Sequence, residues 1–191
     1  MLKLVKNITI KKYIFIILAL FFNLNIVSAD DRVDQLNMLF NELKINNPII
    51  ANEVEQKIWK IWSTHPNDEK LTSLLAEGSN LVNNDKYSEA IDVFSKAIEL
   101  DPLWAEAWNK RATVLYLSGE FEKSQNDIDK VLELEKRHFG ALAGQGLVNI
   151  HLKNYEKAIE SYEKAKEIYP SMKSPEIMIK QIKKLIKEQS I

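Results

Sequence analysis

Residues 105–139 read AEAWNKRATVLYLSGEFEKSQNDIDKVLELEKRHF, and this stretch decides the fold. Two amphipathic helices meet at Ser118-Gly119. In the first, Trp108, Ala112 and Leu115 recur every three to four residues and so share one face. In the second, Phe121, Ser124, Ile128, Val131 and Leu132 do the same. Gly119 can take the left-handed conformation that ends a helix. A helix pair of this size cannot bury its apolar face alone and needs copies stacked against it.

The copies lie 34 residues apart on either side. Leu74, Trp108 and Leu142 are equivalent, as are Gly78, Ala112 and Gly146. Small residues recur as Ala90, Ser124, Ala158 and as Ala97, Val131, Ala165. Large ones recur between them as Phe94, Ile128, Tyr162. Tyr87, Phe121 and Tyr155 open each second helix, and Pro102 and Pro170 close the outer copies. This pattern resembles the tetratricopeptide repeat over about 71–172. Lys136 stands where that repeat usually has proline, and Ser124 where it usually has alanine. The resemblance implies an all-α, right-handed solenoid of helical hairpins that binds proteins or peptides on its concave face. The run around Arg137-His138-Phe139-Gly140-Ala141-Leu142 is also similar to small exported alphaproteobacterial proteins of this repeat class.

Residues 1–29 read as a signal peptide. Four lysines without an acid precede the uninterrupted apolar run Tyr13–Phe22, and Val27-Ser28-Ala29 offers a cleavage site before Asp30. Ten apolar residues are short against the roughly 20 of a membrane span. Export to the periplasm is therefore expected, with a membrane role only for an uncleaved signal peptide. Removing the four lysines leaves 22 basic against 27 acidic residues, which disfavours a nucleic-acid partner. The chain has no cysteine, so disulfides, thiol chemistry and cysteine metal sites are excluded.

The remaining segments follow in order. Residues 30–70 form an N-terminal helical cap or degenerate repeat. Its stripes are Val33, Leu36, Leu39, Phe40, Leu43 and Ile50, Val54, Ile58, Ile61, Trp62. Trp59 and Trp62 are expected to pack on the first full repeat, with a ligand platform as the other reading. Full repeats span 71–104, 105–138 and 139–172, and residues 173–191 form a capping helix with lysines toward water. Gly140 and Gly144 do not follow from the repeat pattern.

No nucleophile with a base, phosphate loop or metal motif is legible, so a non-enzymatic scaffold without cofactor or metal is expected. In this repeat class the first helix of each pair lines the groove. The register then implies Ser79, Asn83, Asn109, Thr113, Tyr116, Gly140, Ala143 and His151 as groove residues. Gly140 and Ala143 would let a ligand backbone come close, and Asn109 could bond a peptide in both directions. Arg111 and Asp127 would form an internal ion pair bracing the middle repeat. Only Asn109 fits the lysine, asparagine and arginine places of repeats that clamp a chaperone's C-terminal carboxylate. Two alternatives stand beside peptide binding: self-association through apolar ends, and an enzyme built around His138 and His151.

Overall fold

The computed structural model describes residues 31–45 and 47–189; the expected signal peptide and its cleavage site lie outside the described residues. Nine helices and no strand occur among them. They are α1 (31–43), α2 (Pro48–Ser63), α3 (Glu69–Asn83), α4 (Tyr87–Leu100), α5 (Ala105–Leu117), α6 (Phe121–Leu134), α7 (Phe139–His151), α8 (Tyr155–Ile168) and α9 (Lys173–Gln189). The repeats, α2 and the end of α1 belong to the second of two compact units, Leu39–Ile191. In the first unit Val33, placed on the apolar stripe by its spacing, is exposed.

Helices α3–α4, α5–α6 and α7–α8 form successive hairpins, followed by α9. The three turns share one backbone solution. Asp85, Gly119 and Lys153, each 34 residues from the next, have φ of 57°, 77° and 59°. Each is followed by an N–H that reaches back five residues: Lys86 to Leu81 O, Glu120 to Leu115 O and Asn154 to Asn149 O, at 2.9, 2.8 and 2.8 Å. These bonds satisfy carbonyls that a helix end leaves open.

The small positions let the paired helices meet. A Cβ on Gly78 would lie 2.4 Å from the Phe94 ring, and one on Gly146 would lie 2.5 Å from Tyr162. Ser124, in an alanine place, is fully buried, and its hydroxyl donates to Ala112 O at 2.8 Å. The hydroxyl is thus satisfied and carries little penalty. First helices approach each other, α3 with α5 and α5 with α7, more than second helices do. The stack therefore curves with its first helices inside.

The outward side of α3 shows where the stack ends. Ser73 and Asn80 are exposed, whereas their equivalents Ala107, Val114, Ala141 and Val148 are buried. Among the described residues no helix pair stacks on that side of α3. Helix α2 instead runs across the inner face to reach α5 and residues around α7. Asn47 starts α2 by accepting from Ile49 N–H at 3.1 Å, with Pro48 in the first turn. Ala51, Val54, Ile58 and Trp62 give α2 its buried face, while Ile50 stays exposed.

Candidate functional site

The inner face has a covered half and an open half. The covered half lies at the N-terminal ends of α5 and α7. There the Trp62 ring stacks on His138, with centroids 4.0 Å apart and planes 8° apart. Trp59 meets His138 and Phe139 edge-on, both at 5.4 Å. Trp59 also fills the space above Gly140, where a Cβ would fall 2.6 Å from the indole. Two hydrogen bonds tie α2 in place. Trp104 Nε1 donates to Trp62 O at 2.9 Å, and Tyr169 Oη donates to Glu55 Oε2 at 3.0 Å. Burial, helped by the bond to Glu55, pushes the Tyr169 hydroxyl up to about 12.

This placement corrects two expectations. The Trp59 and Trp62 rings pack on His138 and Phe139, where the second and third repeats meet, and the first repeat meets this pair through the bond from Trp104 to the Trp62 carbonyl, because the exposed polar side of α3 offers no apolar surface and the rim of α7 does. They are an internal contact and not a ligand platform. Gly140 makes room for Trp59 rather than for a ligand backbone.

Beneath the tryptophans lies a buried polar cluster. His138 caps α7, its Nδ1 accepting from Ala141 N–H at 3.0 Å. Nε2 therefore carries the proton and donates to Glu106 Oε2 at 3.0 Å. Asn109 Nδ2 donates to the same oxygen at 3.1 Å. Lys110 Nζ lies 3.3 Å from Glu106 Oε1, near enough to balance its charge though not aligned as a hydrogen bond. One of the two Asn109 N–H groups is committed to Glu106, and the Oδ1 carbonyl accepts no bond from the described residues.

His138 and His151 do not form a common site. They bracket α7, about 20 Å apart at 1.5 Å per residue. His138 is fully buried, while His151 is exposed, stacked on Phe121 at 4.3 Å and bonded through Nε2 to Tyr116 Oη at 2.9 Å. Among the described residues no group of three or more His, Asp or Glu side chains could hold a metal ion.

The open half centres on a cavity of about 80 Å³ between α5, α6 and α7. Its floor is apolar, from Ala112, Ile128, Ala141 and Val148, all buried. Thr113 and Leu147 form an exposed rim. Of the expected groove residues, Asn109, Thr113, Tyr116 and Gly140 come together here. Ser79 and Asn83 lie on α3 away from the cavity, and Ser79 Oγ donates to its own helix at Leu75 O. Ala143 departs from its expected place, packing against the cluster of Ala158, Tyr162 and Ile182 because α7 must also meet α8 and α9. Gly144 and Leu147 also line the cavity, and Glu106, which the register did not single out, sits in the buried cluster beside it. Glu106 could have been found from its spacing, three and seven residues before Asn109 and Thr113 on one helical face.

Arg111 and Asp127 brace the middle repeat from outside the cavity. Arg111 Nε and Nη2 bond the two Asp127 oxygens at 2.7 and 2.8 Å, and Nη1 reaches Ser95 Oγ at 3.0 Å. The next repeat makes a similar tie with Gln145 in place of the arginine. Gln145 accepts from Ser161 Oγ at 3.0 Å and donates to Asp129 at 3.3 Å, joining α7 to α8 and α6.

Three stacked hairpins at a 34-residue period, with first helices inside, define a helical-repeat protein. The chain belongs to the tetratricopeptide repeat family, whose model matches residues 75–124 and 110–173. A TPR repeat-containing protein of Rhizobium etli is 34% identical over 122 residues, 63% of this chain and 58% of that protein's length. Among solved structures, the Sgt2 TPR domain from Aspergillus fumigatus superposes with a TM-score of 0.61 at 24% identity, covering 64% of this chain and 83% of that one. The first TPR of Spaghetti (RPAP3), bound to the HSP90 peptide SRMEEVD, gives 0.61 at 22% identity, covering 63% and 95%.

Proposed function

We propose that this chain is a non-enzymatic scaffold of the bacterial periplasm that holds a protein or peptide in the open half of its inner face. The observation that carries the reading is the cavity between α5, α6 and α7. It has an apolar floor, a mixed rim of Thr113 and Leu147 and an amide carbonyl on Asn109 that can accept a peptide N–H. Family membership supports it, and a structural neighbour was solved with a peptide bound. Lysine positions and the apolar run within residues 1–29, with the alphaproteobacterial relative, support the compartment.

The ligand differs in chemistry from a C-terminal carboxylate. Leu75, at one clamp place, is buried, Gly140 lies under Trp59, and Asn109 leans on the buried Glu106 carboxylate. An added carboxylate there would face like charge.

Crosslinking in cells producing the full chain, followed by capture and mass spectrometry, tests this reading. A defined envelope protein is expected with wild type and not with the Asn109→Ala/Tyr116→Ala double variant. Equal capture by the variant would contradict it. N-terminal sequencing of the same material is expected to begin at Asp30, and a cytoplasmic, unprocessed product would remove the periplasmic setting.

A further inference from the structure

Two glycines, Gly140 and Gly144, stand one turn apart on α7, outside the small positions that the hairpins need. The first cradle is filled by the chain's own Trp59. The second is open. A Cβ at Gly144 would find only Ile128 Cδ1, at 3.7 Å. We propose that the cavity at Gly144 is a specificity pocket for one branched aliphatic side chain of a bound peptide. This rests on the open half being the peptide site.

Size and chemistry select the occupant. The cavity of about 80 Å³ has room for roughly five to eight waters, at 10–15 Å³ each. It is well below the roughly 150 Å³ that accepts a benzene ring. Its floor of Ala112, Ile128, Ala141 and Val148 offers no partner for a charge or an amide. Such a floor favours an aliphatic group over water. A second observation places the backbone of the ligand. Asn109 is 9% exposed and lines the cavity, and its Nδ2 is held by Glu106. Its Oδ1 has no hydrogen-bond partner among the described residues and can accept one peptide N–H. Trp59 in the adjacent cradle shows how such a side chain lies on this surface, and α2 bounds the site on that side.

The test uses ¹⁵N-labelled protein produced from the full chain and capped pentapeptides Ac-Ser-Gly-X-Gly-Ser-NH2, where X is leucine, alanine, lysine or aspartate. The leucine peptide is expected to shift the Gly140, Gly144 and Leu147 amide resonances saturably, and to bind at least tenfold tighter than the other three. Gly144→Leu, which fills the cavity, is expected to reduce that binding at least tenfold. Gly144→Ala adds a methyl without a clash and is expected to weaken it at least threefold, whatever leucine does to folding. Equal titration by leucine and alanine peptides, or unchanged binding in either variant, would overturn the pocket. A wild-type dimer lost in Gly144→Leu would place a second copy in the cavity and also overturn it. If Gly144→Leu captures the envelope protein normally while Asn109→Ala/Tyr116→Ala does not, the pocket fails and the groove reading stands.

Discussion

Gly140 and Gly144 sit one turn apart on the same helix, yet they belong to different surfaces. At Gly140 the missing side chain is replaced by an indole from a helix far away in the sequence. At Gly144 it is replaced by nothing from the described residues beyond the edge of Ile128. The covered half is therefore a protein interior, with stacked rings over a buried polar cluster. The open half is floored by small and aliphatic side chains that face a cavity. The difference teaches that part of a repeat groove can be structural core while the adjoining part stays available.

The largest test of that contrast is Trp62→Ala. Trp62 is 5% exposed, stacks on His138 and supports α2, so its truncation should cost about 3–5 kcal/mol in urea unfolding. A loss near zero would mean that α2 is not part of the interior. Next is Gly140→Ala. The added methyl falls 2.6 Å from Trp59, whose ring is held by Trp62, His138 and Phe139 and cannot simply turn away. Overpacking of this kind costs about 1–3 kcal/mol. The same change at Gly144 should act in the opposite direction. It meets only an ordinary contact, and alanine is favoured over glycine inside a helix by up to about 1 kcal/mol. Equal signs at the two positions would break the comparison.

A smaller effect should appear in alkali. The Tyr169 hydroxyl, bonded to Glu55 on α2, keeps its proton up to about 12 when folded, against about 10 when unfolded. Its raised value stabilises the fold fully below pH 10, and that contribution is lost as pH rises toward 12. Wild type should therefore lose stability over this range more steeply than Tyr169→Phe. Parallel curves would mean that the hydroxyl does not help to hold α2.

The repeats were legible because their spacing fixes both the helices and the faces that meet. Phe94 opposite Gly78 and Tyr162 opposite Gly146 are readable as large and small partners before any coordinates. The placement of α2 was not. Periodicity shows that Ala51, Val54, Ile58 and Trp62 share a buried face, but not which surface covers them. One signal was present and points the right way. Ser73 and Asn80 stand where the other repeats have Ala107, Ala141 and Val114, Val148, so α3 is already built as an end. A tryptophan pair without a surface there, and an unexplained glycine at the start of α7, are two halves of one contact. The cavity was legible in part. Asn109, Thr113 and Tyr116 follow from register, whereas the role of Gly144 depends on the space beside Ile128.

The most direct measurement is a solution NMR comparison of the α-protons of Gly140 and Gly144. If α2 covers one half and leaves the other open, Gly140 will show cross-relaxation to the Trp59 indole and a strong ring-current shift, and Gly144 will show neither. Trp59 cross-peaks to α3 in place of Gly140, or equal contacts to both glycines, would contradict the division of the inner face.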